Sequence, residues 1–327
     1  MDLARAIPWV LAPISMGLNV ACGPTVQDDP SLVQFHVPGY QDAGSAEATS
    51  ESSLADRGLI NFAFLHPVGL RIEPQYRRSL LDHLTTHTPY VYRSLFATDA
   101  EKTVGMLEIR LAEVCHMGVV SYVEADSEFG VVPLVRALNP DGQPVSHSVF
   151  VTPEDSPLRS LADLKGHSLA LGSYHSTLSN LIARHELARA GVGIGELETV
   201  EHFDNDDAVA SAVLAGRFDA GAVEDMVARW YQDKGLRAFH VSPSVPSAPI
   251  VVRADLPQRV SGAIRDALLE LDFESAKDRQ GWDEDLRYGF APAAPADYEA
   301  VRRIVESSVT ECRGACHVPK GGFGRAD

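Results

Sequence analysis

The chain has 327 residues, enough for two domains of ordinary size, each with its own core. Its formal net charge of −17 argues against nucleic acid as a partner, because a basic face would be needed there. With 45% hydrophobic and 22% charged residues, the composition is that of a globular protein rather than a disordered one.

The N-terminus reads as an export signal. Residues 6–21 are almost uncharged and end at Ala21-Cys22-Gly23, the pattern of a bacterial lipoprotein signal in which Cys22 becomes the lipidated first residue. Pro8 and Pro13 interrupt this run, which is too short to span a bilayer. Residues 1–22 therefore read as a lipoprotein-type signal segment, cleaved before Cys22, and residues 23–57 as a flexible tether, since 41–53 (QDAGSAEATSESS) has the composition of a linker.

The folded part is expected to start near Leu59. An apolar run predicts a buried strand over 59–65, and helical spacing of Tyr76, Leu80, Leu81 and Leu84 predicts a helix over 74–86. A strand over 91–96, a helix over 100–112 and a strand over 114–120 continue the series. Such β-α-β-α-β order calls for a largely parallel sheet covered by helices. After the turn at 139–143 (NPDGQ) a second series begins. It has strands over 149–152, 168–172, 199–202, 218–223 and 249–253. Its helices are expected at 161–165, 176–190 and 207–215, the last stopped by Gly216. Two final helices are expected over 259–272 and 297–309.

From Ser160-Leu161-Ala162-Asp163-Leu164-Lys165-Gly166 onward the chain resembles a known family, the phosphate, phosphite and phosphonate-binding proteins of ABC transporters. The likeness is carried by residues 151–191, by 207–222 (DAVASAVLAGRFDAGA), by 242–257 (SPSVPSAPIVVRADLP), by 289–302 (GFAPAAPADYEAVR) and by 112–125 (AEVCHMGVVSYVEA). The resemblance implies an α/β protein of the type II periplasmic-binding-protein fold, with two Rossmann-like lobes joined by a two-strand hinge. Lobe 1 would comprise 58–145 plus 247–327, and lobe 2 would comprise 146–246. It also implies a solute-binding protein of an ABC-type importer. Such a protein would be a periplasmic monomer, held to the membrane by its lipid alone, with a small polar ligand and an inner-membrane permease as partners. A ligand-presenting sensor is the neighbouring alternative. No catalytic motif is present, and neither an enzymatic activity nor a cofactor is expected.

A helix start rich in hydroxyls follows the strand at 168–172. The unpaired N–H groups of a first helical turn suit an anion, and Ser176 and Thr177 add donors. Simple capping explains the same residues. The resemblance places the family's ligand-binding Ser-Thr-Ser here, matched by Ser176 and Thr177, with Leu178 in place of the last serine and Ser179 following. It also implies that Ala100, Met117 and Asp206 replace two tyrosines and a histidine that contact the ligand, while Asp207 keeps its place and His116 lies beside Met117. His66, at the end of the first strand, is a candidate rim residue. Losing three donors and gaining a carboxylate disfavours a free dianion and favours a zwitterion, a cation-bearing ligand or a neutral molecule.

Three further cysteines remain. Cys115 falls in a strand and reads as a small core residue. Cys312 and Cys316 are expected to form a disulfide in an oxidising envelope. The alternative is a c-type haem attachment through Cys312, Cys316 and His317, one residue longer than the usual spacing.

Overall fold

A computed structural model of the chain describes residues 58–65, 74–97, 100–282 and 286–315. The expectations for the signal, the tether, His66, Cys316, His317 and the side chain of Cys312 lie outside the described residues.

The elements of the first part are β1 (Leu59–Leu65), α1 (Pro74–His87), β2 (Val91–Ala97), α2 (Ala100–Glu108), β3 (Val114–His116), α3 (Val119–Glu128) and β4 (Val131–Ala137). Then come β5 (Val145–Ser146), β6 (Ser148–Pro153), β7 (Ser168–Leu171), α4 (Ala183–Arg189), β8 (Thr199–His202), α5 (Asp206–Leu214), β9 (Ala220–Glu224), α6 (Asp225–Gln232) and β10 (Leu236–Val241). The chain ends with β11 (Val245–Pro246), β12 (Pro249–Arg253), α7 (Gln258–Leu269), β13 (Phe290–Pro292) and α8 (Glu299–Ala315). A 3-10 turn covers Leu161–Leu164, and a π-helical turn, Thr177–Ile182, leads directly into α4.

Two sheets organise these elements. The first has strand order β13-β4-β12-β3-β1-β2 and the second β10-β6-β9-β7-β8. We call each sheet with its helices a lobe, lobe 1 for the first and lobe 2 for the second. Each sheet is mixed rather than wholly parallel. In lobe 1, β12 runs antiparallel between β3 and β4; in lobe 2, β6 runs antiparallel between β9 and β10. The reason is connectivity: β12 and β6 are the strands by which the chain enters from the other lobe. Between the sheets, β5 and β11 pair antiparallel through Val145–Pro246 and Ser146–Val245 and form the two-strand connection.

Alternating side chains build a core on both faces of each sheet, as period-two geometry requires. In lobe 1, Phe62, Phe64, Val114, Ile250 and Val252 face α1 and α7, while Ala63, Cys115 and Val251 face α2, α3 and α8. In lobe 2, Val149, Val151 and Ala170 face α5 and α6, while Phe150, Leu169 and Leu171 face the 3-10 turn and α4. Cys115 is fully buried, and its thiol, outside any disulfide, donates to the His116 carbonyl. Among the described residues no helix is long and apolar enough to cross a membrane.

Three elements differ from the expectation. The helix expected over 100–112 stops at Glu108, because Arg110 takes a left-handed conformation (φ 63°) and the amides of Leu111 and Ala112 both turn back to the Met106 carbonyl. The strand expected over 114–120 ends at His116, and Val119 opens α3 instead. The helix over 176–190 begins with the π turn, whose wider winding rotates the buried face. Ala183, Glu186 and Leu187 are buried, and Ala188 is exposed.

Candidate functional site between the lobes

The C-terminal ends of β3 and β9 and the loop after β7 meet between the two sheets, the position where open α/β sheets present ligand sites. Gly118 caps α3 in an extended conformation, so the first amides of that helix point out of lobe 1. One of them is satisfied from the other lobe: Val120 N–H donates to Thr177 Oγ1 at 3.0 Å. Thr177 itself is 8% exposed. A hydroxyl of lobe 2 thus occupies a helix N-terminus of lobe 1.

Ser176 and Ser179 turn inward to lobe 2. Ser176 Oγ accepts from Ser179 N–H at 3.2 Å, and the two hydroxyls are 2.6 Å apart. Asp206, the first residue of α5, accepts the Glu224 amide on Oδ2 at 2.6 Å and the Ser179 hydroxyl. The Asp206 residue retains some exposure through the rest of its atoms, but its carboxyl is enclosed by these groups and by Gly172. Burial pushes its pKa above the ordinary Asp range, against the two hydrogen bonds that favour the ionised form. Gly172 is required here by close approach: a Cβ on it would lie 1.9 Å from Ser179 Oγ. Its carbonyl accepts from His202, whose ring stacks under the exposed Tyr174 at 3.9 Å.

Leu178 and Met117 come together where the family resemblance implies hydroxyl groups. Both are buried, and both belong to the apolar cluster of lobe 1 that also holds Ile182, Val119 and Tyr122. Burying one such side chain stabilises the contact by about 1.5–3 kcal/mol. Arg229 of α6 adds an exposed ion pair to Asp141, 2.5 Å away in the turn before β5. That pair holds the Asp141 carboxyl below its ordinary pKa.

Beside the hinge lies an inter-lobe cavity of about 70 Å³. His116, Asn139, Ser146 and Ser247 line it together with Glu224, Asp225 and Met226. Ser247 Oγ is buried there without a hydrogen-bond partner. Asp225 also pairs with His147 at 3.3 Å. None of the lining residues is Lys or Arg, and two are acidic. Of the residues expected from sequence, only His116 lines this cavity. Ser176, Thr177, Ser179 and Asp206 form the neighbouring network, and Met117 is packed in the core. Ala100 is half-buried at the start of α2, and Asp207 Oδ1 is buried without a partner. Glu224, Asp225 and Ser247 were not anticipated. The signal for Glu224 was available, since it follows directly on a strand whose C-terminal end faces the cleft.

Comparison with known proteins gives one sequence family, described as "ABC transporter, phosphonate, periplasmic substrate-binding protein", matching residues 73–298. Among solved structures, PhnD1 from Prochlorococcus marinus in complex with methylphosphonate aligns at 19% identity and TM-score 0.68, covering 77% of this chain and 98% of its own. A binding-protein component of an ABC phosphonate transporter from Pseudomonas aeruginosa aligns at 18% identity and TM-score 0.65, over 81% and 91% of the two chains. The alkanesulfonate-binding protein SsuA from Xanthomonas axonopodis pv. citri, bound to MOPS, aligns at 16% identity and TM-score 0.55, over 78% and 93%. The fold is accordingly the two-lobe type II fold of periplasmic binding proteins.

Proposed function

The chain belongs to the periplasmic substrate-binding proteins of phosphonate ABC transporters, and we propose that it captures a small zwitterion between its lobes and delivers it to an inner-membrane permease. The observation that carries this is the meeting of Thr177 with the Val120 amide. It brings a helix N-terminus of lobe 1 and a hydroxyl-rich helix start of lobe 2 to one point, where an acidic group of a ligand can take the place of the Thr177 hydroxyl on the Val120 amide. Glu224 and Asp225, on the hinge side, give the cavity an acidic lining, which favours a positive group at the other end. A phosphonate or similar acid bearing an amine fits both ends. A simple dianion meets two carboxylates and no guanidinium or ammonium partner.

In this reading residues 58–145 with 247–327 form lobe 1, residues 146–246 form lobe 2, and β5 and β11 are the hinge. His116, Ser176, Thr177, Ser179 and Asp206 serve the cleft, and Met117 supports it from the apolar cluster beside it. The monomeric mature chain is tethered by a lipid on Cys22, and fatty-acid labelling that persists in Cys22→Ser would refute that anchor.

Calorimetry with 2-aminoethylphosphonate, methylphosphonate and phosphite at neutral pH tests the ligand class. The aminophosphonate is expected to bind, and the Glu224→Gln variant to lose affinity for it. Tighter binding of methylphosphonate than of the aminophosphonate would overturn the assignment.

A further inference from the structure

Outside the inter-lobe cavity, His83, His87 and Glu270 converge where α1 packs against the end of α7. One donor atom from each lies within 4.8 Å of the others. The two histidines are four residues apart, so one helical face carries both. Glu270 is the C-cap of α7, and reaches the pair because α1 and α7 pack on the same face of the lobe 1 sheet.

The hydrogen bonds of the imidazoles select their free nitrogens. His83 Nε2 lies 2.8 Å from the Ala267 carbonyl, and His87 Nδ1 lies 2.8 Å from the His83 carbonyl. A carbonyl only accepts, so each of these nitrogens carries the hydrogen. His83 Nδ1 and His87 Nε2 are left with their lone pairs. Donation of the second ring nitrogen to a carbonyl is also how metal-binding histidines are oriented and made more basic. His87 Nε2 stands 3.9 Å from Glu270 Oε2. Two ligands on one tetrahedral ion, each about 2.1 Å from it, stand roughly 3.4 Å apart. Both side chains are exposed, and a small rotation closes the difference. The nearby cation, Arg279, is held by the carbonyls of Asp272 and Arg287 and the Ser275 hydroxyl.

We propose that His83, His87 and Glu270 bind one divalent transition-metal ion of the zinc class, a clip between α1 and α7 that is separate from the solute site. Two imidazoles and one carboxylate suit Zn²⁺, Cu²⁺, Ni²⁺ or Co²⁺ and not Mg²⁺ or Ca²⁺, which prefer all-oxygen sites. Solvent exposure leaves room for water to complete the coordination.

The test is zinc titration by calorimetry on the full chain at neutral pH. It is carried out in a Cys312→Ser/Cys316→Ser background, which removes the other cysteine and histidine set. One zinc per chain is expected, with a thermal midpoint that rises on zinc addition. His87→Ala and Glu270→Gln, both at exposed positions, should each weaken binding by at least the ~10–100-fold seen when a ligand's supporting partner is lost. Circular dichroism confirms that each variant is folded, and the Glu270→Gln result stands if His87→Ala is not. Failure of the parent chain to bind zinc at millimolar concentration would overturn the proposal. So would unchanged affinity in a folded variant.

Discussion

Replacing Thr177 by Val keeps the shape of the side chain and removes the hydroxyl that accepts the Val120 amide. With the lobes in contact, that N–H then faces a methyl group. With the lobes apart, water satisfies it. Leaving a buried donor unsatisfied costs about 1–3 kcal/mol, and the cost falls on the closed arrangement alone. At 1.4 kcal/mol per tenfold, the closed-to-open ratio drops by roughly 5- to 140-fold. Hydrogen exchange read at the Val120 amide should show lost protection, and small-angle scattering a larger radius of gyration. The core around Phe62, which includes no residue of the turn that carries Thr177, should keep its protection. Unchanged exchange at Val120 together with an unchanged radius would refute the role given to this contact.

Gly172→Ala forces a Cβ into the space held by Ser179 Oγ, and should lower stability by about 1–3 kcal/mol in urea unfolding. Removing the hydroxyl in a Gly172→Ala/Ser179→Ala double variant should recover part of that loss, and no recovery would count against the steric explanation. Asp206 holds its proton to higher pH in the folded than in the unfolded chain, so its contribution to stability falls as pH rises from about 3.9 to the raised folded value and is flat above it. Asp206→Asn should lack this slope and be at least as stable as the parent at neutral pH; parallel stability curves for the two proteins would show that the carboxyl is not desolvated.

Much of the fold was legible because it rests on local signals. The apolar runs of β1 and β12 and the NPDGQ turn each announced an element by composition. What was missed depended on distant partners. Val119 and Val120 read as the end of a strand because β-branched residues favour one. They start a helix because α3 packs against α8 and against Leu178 and Ile182 of lobe 2, and such packing overrides propensity. The early end of α2 hangs on Arg110 at positive φ, where no glycine gave warning. The candidate site divides in the same way. Ser176 and Thr177 were legible as a helix start. The pairing of Thr177 with Val120, 57 residues away, and the assembly of Ser247 with Glu224 needed the hinge to bring them together.

The exchanges at Leu178 and Met117 bear on how the protein works as a receptor. The resemblance puts hydroxyls at both positions, groups that need a ligand or water when the lobes close. Here both positions join one buried apolar cluster, so closure carries its own stabilisation of about 1.5–3 kcal/mol from Leu178 alone. A ligand must enter through the open arrangement, so its rate of association falls in proportion to the fraction that is open. The same contact that firms the closed protein therefore slows capture by roughly 10- to 150-fold. A ligand that makes only the contacts of methylphosphonate gains nothing from the acidic end of the cavity. One that also engages Glu224 and Asp225 gains a second, independent set of contacts. Selectivity for the ligand with a cation thus follows from the charge of the cavity, while the lobe contact sets the speed of capture.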